Sequence, residues 1–378
     1  MIRNRLLLFI YASINILFII KYGSRVSDSP FAITLMCIAP AAIMIFILSG
    51  SFQRVNELGK IERVYLLVAA ILMVCCIVLL IQIDPHSTRV GRYPAVNDWL
   101  EKFLSGKFPY GSPSFPSGFP GLFLILLPFQ LTGEVGTFHL LTLAIFAWLC
   151  RCHFVDSPIN ALRSLLLFGC SLPFLYEVSV RSELCGNMIL LILCFHIIIS
   201  RSEESSKTGM ILWGLLMGMV ISTRGVVVLP LAVLIGYLLK RRLWPGTLFV
   251  TTSFLGFILT LLPLVVWGSE SFREYGPFSI QLSHVPMWIL PVAIPLGTYL
   301  GYRSQSPKGV YGSSALLLFG SVLTVFLIAV GEMGWTTVVL HDGFDISYFC
   351  FPVPFLLLGL DPLAGGGTDH SRQTVDLH

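Results

Sequence analysis

The chain is 378 residues long, with 55% hydrophobic residues and only 12% charged ones, about half the roughly 25% charged fraction of an ordinary soluble protein. Lys and Arg outnumber Asp and Glu by 24 to 20, a formal charge of +4, too weak and too dispersed for a nucleic-acid surface. A soluble globular enzyme and a nucleic-acid-binding protein are excluded.

Apolar runs of 15 to 24 residues recur with short polar gaps between them, and about 20 such residues cross roughly 30 Å of hydrocarbon. The expected fold is all-α: one polytopic transmembrane bundle over 1–360. Spans are expected at 5–22, 31–49, 64–83, 134–150, 159–178, 184–199, 209–223, 226–239, 244–267, 284–301, 311–330 and 346–360, about 12 in all. The first is read as a retained helix, because Lys21, Tyr22 and Arg25 follow its apolar run where a signal peptide would carry small residues. The piece 116–132 is too short to assign as a crossing and reads as re-entrant or interfacial. The tail 361–378, with Gly365-Gly366-Gly367, has too little apolar surface to fold and is expected to be disordered.

With the N-terminus inside, 15 of the 24 basic residues fall on the inner side, and Lys240-Arg241-Arg242 is the strongest anchor. Both termini are then cytoplasmic. Twelve carboxylates fall on the opposite side, among them Asp84, Asp98, Glu183 and Asp345. A site on that face is the simplest explanation. The nine cysteines show no CxxC spacing and read as small core residues.

The longest non-spanning segment is 84–118. Long loops in compact proteins are functional or disordered, and Tyr93, Trp99, Phe103, Phe108, Tyr110 and Phe115 argue against disorder. Val96, Leu100, Phe103 and Leu104 share one helical face, opposite Asn97, Asp98, Glu101 and Lys102, with Pro94 suited to a start and Gly106 to a stop. This predicts an amphipathic helix over about 94–106 lying in the membrane interface, with Trp99 at headgroup depth; packing on the protein's own loops is the alternative.

Asp84, at the outer end of the third span, is placed to take a proton from an acceptor hydroxyl; an Asp-Pro helix-ending turn is the other reading. Asp98 and Glu183 are alternative acids. Arg89, Arg92, Arg181 and Arg224 are candidates to hold a phosphate through charge-assisted bonds. Arg224 stands out because Thr223-Arg224 interrupts an apolar stretch from Ile211 to Leu239, with snorkelling as the alternative. Arg181 and Glu183 are close enough in sequence to pair with each other. Tyr93, Tyr110 and Asn187 are candidate acceptor or sugar contacts. His86 beside Asp84 is too sparse a ligand set, and no metal is assigned. Glu134 is expected to cap the span after it.

An acid at the membrane surface, an amphipathic helix, Gly106, Pro109-Tyr110 and a Pro/Gly-rich turn into a short apolar piece resemble the GT-C superfamily of integral-membrane glycosyltransferases, and Thr223-Arg224-Gly225 looks like that family's break between paired short helices. The likeness covers roughly residues 64–240. It implies transfer of a sugar from a polyprenyl-phosphate donor to a glycan, lipid or protein acceptor on the extracytoplasmic face of a bacterial-type inner (plasma) membrane. Asp84 would be the base, and basic residues would bind the lipid phosphate. Pro85 follows Asp84, so the family's paired acids are absent. The alternatives are a polysaccharide polymerase or ligase relying on Arg181, Arg224 or Arg273, and a lipid-linked sugar flippase or transporter without chemistry.

Overall fold

A computed structural model describes residues 2–26, 58–87, 91–111, 113–201, 206–241, 246–282, 286–341 and 343–360. The expected span 31–49, Arg89 and the tail 361–378 lie outside the described residues. All regular structure among those described is helical. Five helices are long and apolar enough to cross a membrane: Ile2–Tyr22, Ile61–Gln82, Val135–His153, Leu248–Trp267 and Pro307–Met333. A sixth crossing is available if Pro158–Gly169 and Leu172–Val180 count as one. Pro120–Leu131, Leu184–Ser200, Lys207–Ile221, Gly225–Lys240 and Ile346–Gly359 are shorter apolar helices.

In chain order the first elements are α1 (Ile2–Val26), α2 (Leu58–Gln82), α3 (Arg92–Leu104), α4 (Pro120–Leu131) and α5 (Phe138–His153). They are followed by α6 (Pro158–Gly169), α7 (Leu172–Val180), α8 (Leu184–Arg201), α9 (Lys207–Ile221), α10 (Val228–Lys240) and α11 (Gly246–Trp267). The last are α12 (Ser269–Tyr275), α13 (Pro277–Leu282), α14 (Ile289–Arg303), α15 (Pro307–Met333), α16 (Trp335–Val339) and α17 (Pro352–Gly359).

Physical causes are legible element by element. On α2, Leu66, Leu67, Ile71, Val74 and Ile81 are each 51% to 74% exposed; a continuous apolar face of that size has hydrocarbon as its natural solvent. By contrast, α17 is buried at every position, as a helix enclosed by other helices must be. The expected span 159–178 is not one straight helix: the chain breaks between α6 and α7 and bends by 50°, as a broken span or a re-entrant loop does. Pro173 lacks the N–H that a continuous helix needs, and the Ser171 hydroxyl starts α7 by accepting from Phe174 N at 3.3 Å. Elsewhere helices approach closely through glycine. A Cβ at Gly218 would lie 2.2 Å from Ser253 O on α11, and one at Gly236 1.9 Å from Thr298 O on α14, the small-residue contacts that let membrane helices pack without a hydrophobic drive.

The expected amphipathic helix forms as α3, with a different environment for its apolar face. Val96, Trp99 and Leu100 are buried. Trp99 is 1% exposed and stacks on Phe123 of α4 with ring centroids 4.2 Å apart. Leu261 of α11 and Phe272 of α12 complete this second core. The protein itself covers Trp99, which is the alternative of packing on the protein's own segments, and this seats α3 firmly on α4.

Candidate functional site

A cavity of about 380 Å³ opens where α1, α3, α7 and the segments 113–118, 181–183, 222–225 and 344–348 converge. Its charged walls are Lys21, Arg92, Glu183, Arg224 and Asp345, and its aromatic walls include Tyr22, Tyr176 and Tyr348.

Arg224 lies in extended backbone between α9 and the 3-10 turn Gly225–Val227. The segment is held open by Phe119 N donating to Thr223 O at 3.1 Å and Leu122 N to Ser222 O at 3.2 Å. Gly121 permits the approach, since a Cβ there would meet Met219 O at 2.4 Å. The Arg224 guanidinium donates from Nε and Nη2 to Glu183 Oε1, the former at 3.1 Å, and from Nη1 to Ser117 Oγ at 3.2 Å. Both side chains are buried, at 7% and 2% exposure. The isolation of Arg224 in an apolar stretch is thus answered by a buried partner, not by snorkelling.

Glu183 reaches Arg224 because its neighbours are spoken for. Glu177, at the end of α7, accepts from Leu184 N at 2.9 Å and Cys185 N at 2.6 Å, capping the N-terminus of α8. Arg181 adopts left-handed backbone with φ 54°. Its guanidinium donates to Val178 O at 3.2 Å, Ser179 O at 3.0 Å, Leu80 O at 2.6 Å and Ile83 O at 3.0 Å, tying together the ends of α2 and α7. It also meets Glu134 at 3.5 Å. The local Arg181–Glu183 pair is therefore replaced by two long-range ones, and Arg181 does not line the cavity. Burial alone would push the Glu183 carboxyl up, but Arg224 and Arg92 beside it hold it below the usual range.

Arg92 opens α3, where a cation gains nothing from the helix dipole. It is anchored instead by Asp345 Oδ2 at 2.5 Å and Ser347 Oγ at 2.9 Å, and lies 5.2 Å from the Tyr348 ring centroid. Asp345 in turn caps the 3-10 turn Ile346–Cys350, accepting from Ser347 N at 3.0 Å. Its side chain keeps 39% exposure while facing the cavity. Burial pushes its carboxyl up, and Arg92 and Ser347 outweigh this and hold it low. Lys21 reaches in from α1, donating to His341 O at 2.9 Å and Phe344 O at 2.7 Å. Each cation is thus oriented by groups at its back.

The remaining sequence candidates fall elsewhere. Asp84 is exposed at the end of α2, its Oδ1 accepts from His86 N at 3.0 Å in a helix-ending turn, and it does not line the cavity. Asp98 pairs with Lys102 at 2.7 Å and accepts from Ser114, a cavity residue. Tyr93 is half-buried with its ring 5.1 Å from His86. Tyr110 is buried and donates to Gly118 O at 2.9 Å, a structural tie within the second core. Asn187 is fully buried on α8. Glu134 caps the turn before α5 as expected, accepting from Gly136 N at 2.8 Å.

The sequence assigns no individual role to Lys21, and it marks Asp345 and Glu177 only as two of the twelve outer carboxylates. An Asp two residues before Ser347 is a capping signal, and Lys21 is the first charge after fifteen uncharged positions; neither pattern names its partner. Among the described residues, Glu177, Cys185 and Cys350 form one group with metal-ligand spacing. All three are already engaged, the carboxylate by the α8 amides and the thiols by Cys350 O and Pro173 O. The chain matches no family model, no curated protein and no solved structure. What fold and site define is a helical membrane protein carrying a cavity with three oriented cations and two carboxylates.

Proposed function

We propose that the chain is an integral-membrane glycosyltransferase moving a sugar from a polyprenyl-phosphate donor to an acceptor, with the donor phosphate in this cavity. The observation that carries the reading is the pair of carboxylate-anchored guanidiniums, Arg92 on Asp345 and Arg224 on Glu183, with Lys21 as a third cation on the same cavity. Such groups are aimed before the substrate arrives, so they need no reorganisation as charge grows on the departing phosphate; that is the largest usual source of catalysis. Three cations against two carboxylates leave one positive charge in excess, which favours an anionic group. Tyr22 and Tyr176, stacked at 4.2 Å, offer an aromatic wall suited to a sugar face.

In this reading the six longer spans, the shorter helices Leu184–Ser200, Lys207–Ile221, Gly225–Lys240 and Ile346–Gly359, α14 and the expected span 31–49 make about 12 crossings, both termini are cytoplasmic, and the cavity faces the extracytoplasmic side. The acid shifts from Asp84 to Glu183, because Glu183 lines the cavity and Asp84 does not. The same weight of arginine over free carboxylate favours, as a second reading, a polymerase or ligase consuming a lipid-linked glycan. The test is transfer of labelled sugar from polyprenyl-phosphate and polyprenyl-diphosphate donors in proteoliposomes, for the unmodified chain, Arg224→Ala, Glu183→Gln and Asp84→Asn. Turnover of the monophosphate donor that is lost in the first two variants and kept in the third supports the proposal. Turnover of the diphosphate-linked glycan alone supports the second reading.

A further inference from the structure

Arg224 uses only one oxygen of Glu183. The other, Oε2, is buried with no hydrogen-bond partner among the described residues. Two more fully buried side chains beside it are in the same condition: His139 on the first turn of α5, through Nδ1, and Asn187 on the first turn of α8, through both Oδ1 and Nδ2. Asn187 is one helical turn beyond Glu183 and donates its backbone N–H to Glu183 O at 2.9 Å. His139 is within electrostatic reach of Glu183 and of Arg181. The first turns of α5 and α8 are in close contact at Gly186, where a Cβ would meet Phe138 at 2.4 Å and Thr142 at 3.3 Å.

Buried polar atoms are almost always paired. Four unpaired ones, from an anion, an amide and an imidazole, supply the two to four partners that hold a buried water. Resting on the reading of the cavity as a glycosyl-transfer site, we propose that Glu183, His139 and Asn187 enclose an ordered water behind the cavity, a part of the acceptor proton's route because it sets the proton affinity of the Glu183 carboxylate. In the transfer step the acceptor O–H bond breaks and its proton goes to Glu183, while the acceptor oxygen bonds to the anomeric carbon. The bond from that carbon to the phosphate oxygen breaks, and the electron pair leaves on the phosphate, which Arg92 and Arg224 hold. Glu183 gives the proton up to solvent through the cavity once the product has left. His139 Nδ1 and the Asn187 amide orient the water. His139 and Asn187 are positioning residues, acting through Glu183.

The charged and titratable groups bearing on this route are Arg224, Arg92 and Glu177 toward Glu183, and Glu183 and Arg181 toward His139. The experiment is an infrared titration of the Glu183 carboxyl in proteoliposomes, the band being assigned by its loss in Glu183→Gln. It is run for the unmodified chain, His139→Phe, His139→Asn and Asn187→Leu. No sugar donor is needed, so the measurement stands even where glycosyl transfer fails. The expected result is a Glu183 titration about one pH unit higher in His139→Phe, a tenfold change in proton affinity. His139→Asn, whose amide restores a polar partner for the water near Nδ1, is expected close to the unmodified value, and Asn187→Leu is expected to shift the same way as His139→Phe. Superimposable titrations in all four overturn the proposal. With a donor in hand, kcat is expected to fall at least tenfold in His139→Phe at unchanged KM; unaltered kcat overturns the route while leaving glycosyl transfer standing.

Discussion

The buried pair Arg224 and Glu183 links the fold to the site, and replacing Arg224 by Ala tests both. The change removes the Arg224 hydrogen bonds to Glu183 Oε1 and leaves a carboxylate that is 2% exposed with Arg92 as its remaining counter-charge. Stranding one member of a buried ion pair costs about 3–5 kcal/mol, against a typical total stability of about 5–15 kcal/mol. Glu183→Gln leaves an acceptor for Arg224 and strands a guanidinium that can still use Ser117, so its cost is expected to be smaller. Replacing both residues with Met removes both charges and restores much of the loss. The assay is reversible denaturant unfolding in mixed micelles for Arg224→Ala and Glu183→Gln, and for Arg224→Met, Glu183→Met and their double, the last three read as a double-mutant cycle. A coupling of about 2–4 kcal/mol is expected for groups in direct contact. Additive losses, or a loss below about 1 kcal/mol for Arg224→Ala, would refute the argument that the cavity wall is held by this pair.

Acid should act through the same carboxylates. Glu183 and Asp345 are both held low in the folded chain, so their contribution is present above the ordinary values of about 4.3 and 3.9 and is lost as pH falls through the folded values; unfolding midpoints that stay flat below about pH 4 would contradict it. Arg181→Ala removes four hydrogen bonds, two of which, to Leu80 O and Ile83 O, tie the end of α2 to α7. A loss of about 3 kcal/mol is expected from bonds to a charged donor, and a thermal melt unchanged by the substitution would argue against that tie. Trp99→Ala should cost about 3–5 kcal/mol, because the ring is stacked in a core; a variant as stable as the parent would mean the ring faces lipid or solvent. Gly218→Val should prevent α9 from seating on α11, where Ser253 O stands 2.2 Å from the new Cβ, and correctly folded yield equal to that of the parent would refute that close approach.

Much of this architecture is legible in the amino-acid order because a membrane leaves the backbone little choice: an apolar run must satisfy its own hydrogen bonds, and a helix does so. Every expected span that falls within the described residues is helical. The bend between α6 and α7 was written in Ser171 and Pro173, but hydropathy averages over both. The period of 94–106 gave away an amphipathic helix without saying whether lipid or protein covers Val96 and Trp99, since either apolar phase satisfies the pattern. Arg224 was legible for its isolation, and Glu183 for its place in a short loop. Their pairing was not, because 41 positions separate them and the nearer Arg181 offered a cheaper local answer. The left-handed turn at Arg181 and the open carbonyls of α2 and α7 removed that answer. Arg92 and Asp345, 253 positions apart, show the limit most plainly: only the folded bundle brings them together.

The most direct test of the central claim is sugar transfer in proteoliposomes from a labelled polyprenyl-phosphate donor, comparing the unmodified chain with Arg224→Lys, which keeps the charge and gives up the two-nitrogen contact with Glu183. The account expects turnover by the unmodified chain and a loss of at least tenfold in kcat in the variant, because an aimed guanidinium and a mobile ammonium are not equivalent at a phosphate. Equal turnover by the two chains, or none by the unmodified chain across a panel of acceptors, would contradict it.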